Sequence, residues 1–129
     1  MKDYRIDDLQ NKSDKMFEYL RKPLPSIQDE TEVMERVNNL NRMLAESGEY
    51  KAVASYRVDE VVHGEIAKAI DTALGDKVSA SIMNQYVKTA CKEWNYLTMA
   101  FDRINSAAGK QLMAIQTLIS YEKAKLNIL

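Results

Sequence analysis

From about Ser81 to Leu126, apolar side chains recur at helical spacing. With positions placed about 100° apart, Met83, Val87, Ala90, Trp94, Leu97, Phe101, Ala108, Leu112, Ile115 and Ile119 share one stripe. Almost opposite lie Lys88, Lys92, Arg103 and Lys110, with Gln85, Tyr96, Met99, Met113 and Tyr121 interleaved. The pattern predicts one long helix over 79–126 with an apolar face and a basic face. Gly109, beside Ser106, Ala107 and Ala108, makes a small-residue patch that permits close approach of another helix or a local bend.

Upstream, Val33, Val37, Leu40 and Leu44 form a second stripe, resumed by Ala52, Val53, Tyr56, Ile66, Ile70 and Leu74. Asp29 with Glu32 three residues on fits a capped start, because the carboxylate oxygen accepts backbone N–H groups that have no partner inside the helix. An acidic helix is therefore expected over 29–74, with Ser47-Gly48 as its possible break and Gly75 as its left-handed end. A shorter helical segment within 1–22 carries Ile6, Leu9, Met16, Phe17 and Leu20 around a polar middle, Gln10 to Lys15. Pro23 and Pro25 end it, since proline lacks the amide hydrogen and restricts the residue before it.

A helix from 81 to 126 would be on the order of 70 Å long. A compact globule of this chain length has a radius of gyration of only ~14 Å. The two long segments are therefore expected to fold back on each other as an elongated antiparallel hairpin around Gly75, with the N-terminal helix beside it. Such a hairpin exposes much apolar surface, which predicts a homo-oligomeric all-α bundle. The expected interface is Trp94, Phe101, Ala108, Leu112, Ile115 and Leu118. The four-residue steps Ile104–Ala108–Leu112 depart from a strict heptad, so oligomer number is not set by the pattern.

Composition supports this class. The chain has 129 residues, 46% of them hydrophobic and 29% charged, with four glycines, two prolines and no Asn-Gly or Asp-Gly hairpin signal. That leaves little room for sheet, and a single helical domain is expected. The lone Cys91 has no intramolecular disulfide partner. With no signal-peptide core at the start and no apolar run near ~20 residues, a reducing, cytoplasmic setting without a membrane span is expected.

Net charge is −1 but unevenly spread. Residues 1–28 carry six basic and five acidic groups, residues 29–76 five basic and eleven acidic, and residues 77–129 seven basic and three acidic. Either the acidic arm pairs with the basic arm inside the hairpin, or the basic face meets a polyanion.

Catalytic and metal chemistry find little support. Glu60-Val-Val-His63 has the Glu-x-x-His spacing of di-iron bundles, which need that motif twice, and His63 is the only histidine. His63 is also the only imidazole that could serve Cys91 as a base, and Cys91 sits at the edge of the apolar stripe, where a buried structural thiol is the norm. No phosphate loop, zinc spacing or nucleophile elbow occurs. No catalytic residue, metal or cofactor is expected.

The basic stripe is the chemical lead. Steps of eleven from Lys92 to Arg103, seven to Lys110 and eleven to Tyr121 return a straight helix to nearly the same face. Cations follow phosphates without regard to sequence, and aromatic faces stack unpaired bases. Lys88, Lys92, Tyr96, Arg103, Lys110 and Tyr121 are thus candidate contacts for single-stranded nucleic acid.

The order of elements resembles the phage recombination-mediator family typified by UvsY of T4-type phages. The likeness covers roughly residues 30–125: a charged helix ending in Leu74-Gly75-Asp76, then a long helix with Trp94 and Phe101 followed by Ile115 and Tyr121-Glu122-Lys123. It rests on order and length, with no diagnostic motif, and the strongly acidic segment 29–76 departs from it. The resemblance implies a ring-forming helical protein that binds single-stranded DNA and helps load a recombinase. Carried onto this chain, DNA contact would fall to Lys88, Lys92, Arg103 and Lys110. The alternative class is a protein-interaction module (an adaptor, an inhibitor of a host protein or a virion component), favoured by the acidic helix and the methionine-rich apolar positions.

Overall fold

The computed structural model describes residues 4–71 and 80–128. They form four helices in chain order, α1 (Ile6–Leu20), α2 (Glu30–Asp71), α3 (Ala80–Ala90) and α4 (Lys92–Ile128), and no strand occurs among the described residues. The expected turn at Gly75 lies outside them, as do the side chains of Ile66, Ile70 and Met83.

Three cross-links show that α2 runs antiparallel to the α3–α4 arm. Asn105 Nδ2 donates to the Leu44 carbonyl at 2.9 Å, Lys51 Nζ pairs with Asp102 at 2.8 Å, and the Cys91 thiol points to the Val58 carbonyl at 3.8 Å. Numbers rise on one helix as they fall on the other. The fold is the all-α elongated hairpin with a shorter N-terminal helix that the spacing predicts.

Local chemistry explains where the helices begin and continue. Asp29 caps α2, its Oδ1 accepting the Glu32 amide at 3.1 Å while its carbonyl accepts the Val33 amide at 3.0 Å. The possible break at Ser47-Gly48 does not occur. Ser47 is fully buried, its hydroxyl donating to the Leu44 carbonyl and accepting from Asn105 Nδ2, so contact with α4 holds the weak point helical.

The expected single helix over 79–126 is instead interrupted at Cys91. The Thr89 hydroxyl donates back to the Gln85 carbonyl at 3.0 Å, as the Thr98 and Thr117 hydroxyls do to Trp94 and Met113 within the unbroken α4, so this bond does not by itself account for the interruption. The bonds from Cys91 N to Val87 O and from Asn95 N to Cys91 O persist, so helical phase is kept across the interruption.

The core joins all three layers. Leu9 and Met16 of α1, Leu40, Met43, Tyr50 and Val53 of α2, and Leu97, Phe101, Ile104, Ala108 and Ile115 of α4 are buried together. Fully burying a large apolar side chain contributes about 1.5–3 kcal/mol. Tyr50 links the layers, its ring 5.4 Å from Tyr4 edge-on and 5.3 Å from Phe101.

That core changes the reading of the expected interface. Phe101, Ala108 and Ile115 are buried, and Trp94 and Leu112 are partly buried against the same core. Of the six residues, only Leu118 is exposed. The reason is α1, which lies along the middle of α4 and covers the stripe that a bare hairpin would leave open. Five of the six face the chain's own helices, and Leu118 does not.

Candidate nucleic-acid interface

Lys88 on α3 and Lys92, Tyr96, Arg103, Lys110 and Tyr121 on α4 are all exposed. Because phase is kept across Cys91, they fall within an arc of about 80° around the helix axis. The row from Lys88 to Tyr121 rises ~50 Å. The α4 core stripe lies on the opposite side, so the row looks outward.

Its electrostatics differ from those of a self-neutralised hairpin. Among the described residues no carboxylate lies within salt-bridge distance of Lys88, Lys92, Arg103 or Lys110. Among the described residues the one ion pair between the arms runs the other way: Lys51 of the acidic helix holds Asp102 of the basic one. Asp102 is the immediate chain neighbour of Arg103, so this pair offsets the negative charge beside the row. The other recorded pairs, Arg57 with Glu60 at 2.9 Å and Lys68 with Glu65 at 3.8 Å, stay within α2.

The aromatic members are open to solvent. Tyr96 is 62% and Tyr121 61% exposed, and the Lys125 ammonium sits 5.3 Å from the Tyr121 ring centre. Met99 and Met113, also exposed, fill gaps between the cations. The surface is an open row of charge, π-faces and soft apolar atoms, with no enclosing wall.

The remaining candidates do not assemble into a site. His63 is exposed and Glu60 is engaged by Arg57. No group of three or more His, Cys, Asp or Glu side chains capable of holding a metal ion occurs among the described residues. Cys91 is buried, and burial, with the Glu65 carboxylate as a lesser cause, pushes its thiol above the ordinary value of 9.0. A raised thiol is a poorer nucleophile at neutral pH, because the thiolate is the reactive form. No helix of the described residues is long and apolar enough to cross a membrane.

Two features escaped the residue pattern. One is a cluster around Arg36, buried on α2 with its guanidinium 4.7 Å from the Tyr19 ring centre. Its Nη2 donates to the Lys22 carbonyl at 2.9 Å and to Gln111 Oε1 at 2.8 Å. The other is a groove of ≈ 400 Å³ between the start of α2 and the end of α4, walled by Val33, Met34, Ile119 and Leu126. Met34 lies off the Val33–Val37–Leu40 stripe, and that offset was its only signal in the sequence.

No protein-family model, curated protein or solved structure matches this chain.

Proposed function

We propose that the protein is a non-enzymatic, oligomeric helical accessory of DNA metabolism that binds single-stranded DNA along the outer face of α3 and α4. The observation carrying this reading is the row of four cations, Lys88, Lys92, Arg103 and Lys110, that have no ion-pair partner among the described residues, with Tyr96 and Tyr121 exposed among them. Cations spaced along a groove-free helix suit a flexible backbone that can follow them, and exposed tyrosines suit unpaired bases. The resemblance to UvsY-like proteins gives the reading its specific form, a phage-type recombination mediator with a recombinase as partner in the host cytoplasm.

Retention of single-stranded DNA at graded salt tests it. Four phosphate contacts on a single strand correspond to a slope of log affinity against log salt of about −3. The variant Lys92→Glu, Arg103→Glu, Lys110→Glu should lose binding while keeping its helicity, because none of these side chains is in the core. Wild-type protein that fails to retain single-stranded DNA even at low salt overturns the proposal.

A second reading is a helical protein-interaction module without nucleic-acid binding, favoured by the exposure of Met99 and Met113 on the same row. A stoichiometric protein partner recovered after nuclease treatment, together with absent DNA retention, would select it.

A further inference from the structure

The outer row is not uniform along its length. Arg103, Ser106 and Lys110 are three and four residues apart, so their side chains are successive neighbours on one face of α4. All three are exposed. Ser106 is short and stands between two long cations, which leaves a notch with a hydroxyl at its floor. That hydroxyl has no hydrogen-bond partner among the described residues. Other hydroxyls on the outer side are committed: Thr89 donates to the Gln85 carbonyl at 3.0 Å, and Thr117 to the Met113 carbonyl at 2.9 Å. A hydroxyl carries one proton, so those two have none to offer a ligand, whereas Ser106 does. The carboxylate nearest in the helix is Asp102, one turn before Ser106, and Lys51 Nζ holds it at 2.8 Å. The acid that would repel an anion here is thus neutralised from the other arm.

We propose that Arg103, Ser106 and Lys110 form a discrete subsite for one phosphate group, the fixed point of the outer row. The guanidinium donates through a planar fork, the ammonium supplies a compact charge from the opposite side, and the neutral hydroxyl donates between them. The non-bridging oxygens of a phosphodiester accept from all three. A strand bound there is pinned at one phosphate and follows the remaining cations by charge alone. The inference rests on the DNA reading of the row for the source of the phosphate, and adds where one phosphate is seated and by which uncharged donor.

Two measurements test it. In single-stranded DNA binding across a salt series, Ser106→Ala should weaken affinity roughly three- to tenfold at every salt concentration, the worth of one hydrogen bond. The slope of log affinity against log salt should stay that of the wild type, because no charge is lost. Alanine is the better helix former, so such a loss is not one of folding. Thr117→Ala removes a hydroxyl already bonded to its own helix and should bind as the wild type does. In DNA-free protein, titration with inorganic phosphate followed by amide resonances should give a saturable shift centred on Ser106, absent with chloride at equal ionic strength and removed by Ser106→Ala. A Ser106→Ala variant that binds DNA as the wild type does overturns the proposal, and so does a phosphate titration that leaves the Ser106 amide unmoved. A phosphate response at Ser106 without DNA retention keeps the subsite and rejects the DNA reading. DNA retention indifferent to Ser106→Ala does the reverse, so the two failures are distinguishable.

Discussion

Arg36 and Gln111 hold the three layers together by a reciprocal arrangement of donors and acceptors. Arg36 Nη2 donates to Gln111 Oε1 at 2.8 Å and to the Lys22 carbonyl at 2.9 Å, while Gln111 Nε2 donates to the Leu20 carbonyl at 2.9 Å. The Leu20 carbonyl, which ends α1 and has no partner inside its own helix, is thereby bonded to α4, and the Lys22 carbonyl just beyond the helix is bonded to α2. No carboxylate within salt-bridge distance neutralises Arg36 among the described residues; hydrogen bonds and the Tyr19 ring carry its burial.

Removing one side of that arrangement strands the other. Gln111→Leu should destabilise the protein by roughly 2–4 kcal/mol, the range for leaving buried polar and charged groups unpaired. Arg36→Lys should also destabilise, because an ammonium lacks the planar fork that reaches two acceptors and stacks on a ring. Urea denaturation followed by circular dichroism measures both, and a wild-type midpoint for Gln111→Leu would contradict the assignment.

The helix-interior glycines predict the opposite sign. A Cβ at Gly64 would meet nothing within 4 Å, and one at Gly109 would meet Leu44 Cδ2 at 3.9 Å, an ordinary contact. Gly64→Ala and Gly109→Ala should each stabilise by about 0.5–1 kcal/mol, since alanine loses less backbone freedom on folding. If Gly109 instead admitted a neighbouring helix of another chain, Gly109→Ala would reduce association, which sedimentation detects.

Cys91 gives a signed pH dependence. Its thiol is raised in the folded chain, chiefly by burial, so the folded state holds this proton more tightly than the unfolded one. Below the ordinary value of 9.0 both states are protonated and the contribution is fully present. As pH rises past that value the unfolded chain deprotonates first, and stability falls until the folded thiol also ionises. Wild type should therefore lose stability relative to Cys91→Ala as alkaline pH increases. Equal alkaline slopes in the two proteins would refute this, as would rapid alkylation of native Cys91 at neutral pH.

Tyrosine and lysine variants separate stacking from charge. Tyr96→Ala and Tyr121→Ala should each weaken single-stranded DNA binding by ~1–3 kcal/mol with the salt slope unchanged. Lys110→Ala should lower the slope by about 0.7. Fluorescence anisotropy at several salt concentrations distinguishes the two, and tyrosine variants that bind as wild type would leave only the charge contribution.

The hairpin was legible because helical spacing on α2 and α4 records which side each helix buries. The burial of the expected interface set was not, and the cause lies in α1. Its inner edge is Leu9, Ser13 and Met16, and the serine in the middle, bonded to the Gln10 carbonyl, disguises a covering face as a polar segment. Arg36 was hidden for a related reason: an arginine beside Val33 and Val37 reads as surface until its acceptors are known. The interruption at Cys91 leaves the apolar spacing undisturbed, so the pattern carries no sign of it. The exposure of Lys88, Lys92, Arg103 and Lys110 was legible, since it follows directly from facing away from the apolar stripe.

The limited reach of α1 along α4 has a dynamic consequence. Where three layers meet, around Tyr50, Phe101 and Ile104, opening any amide requires disrupting the whole core, so hydrogen exchange there should report global unfolding. Past Ile119, the end of α4 rests on fewer buried neighbours and should exchange through local opening at much lower cost. The hairpin is thus graded along its length: its centre is a clamp, and its open end is free to rearrange while the fold persists.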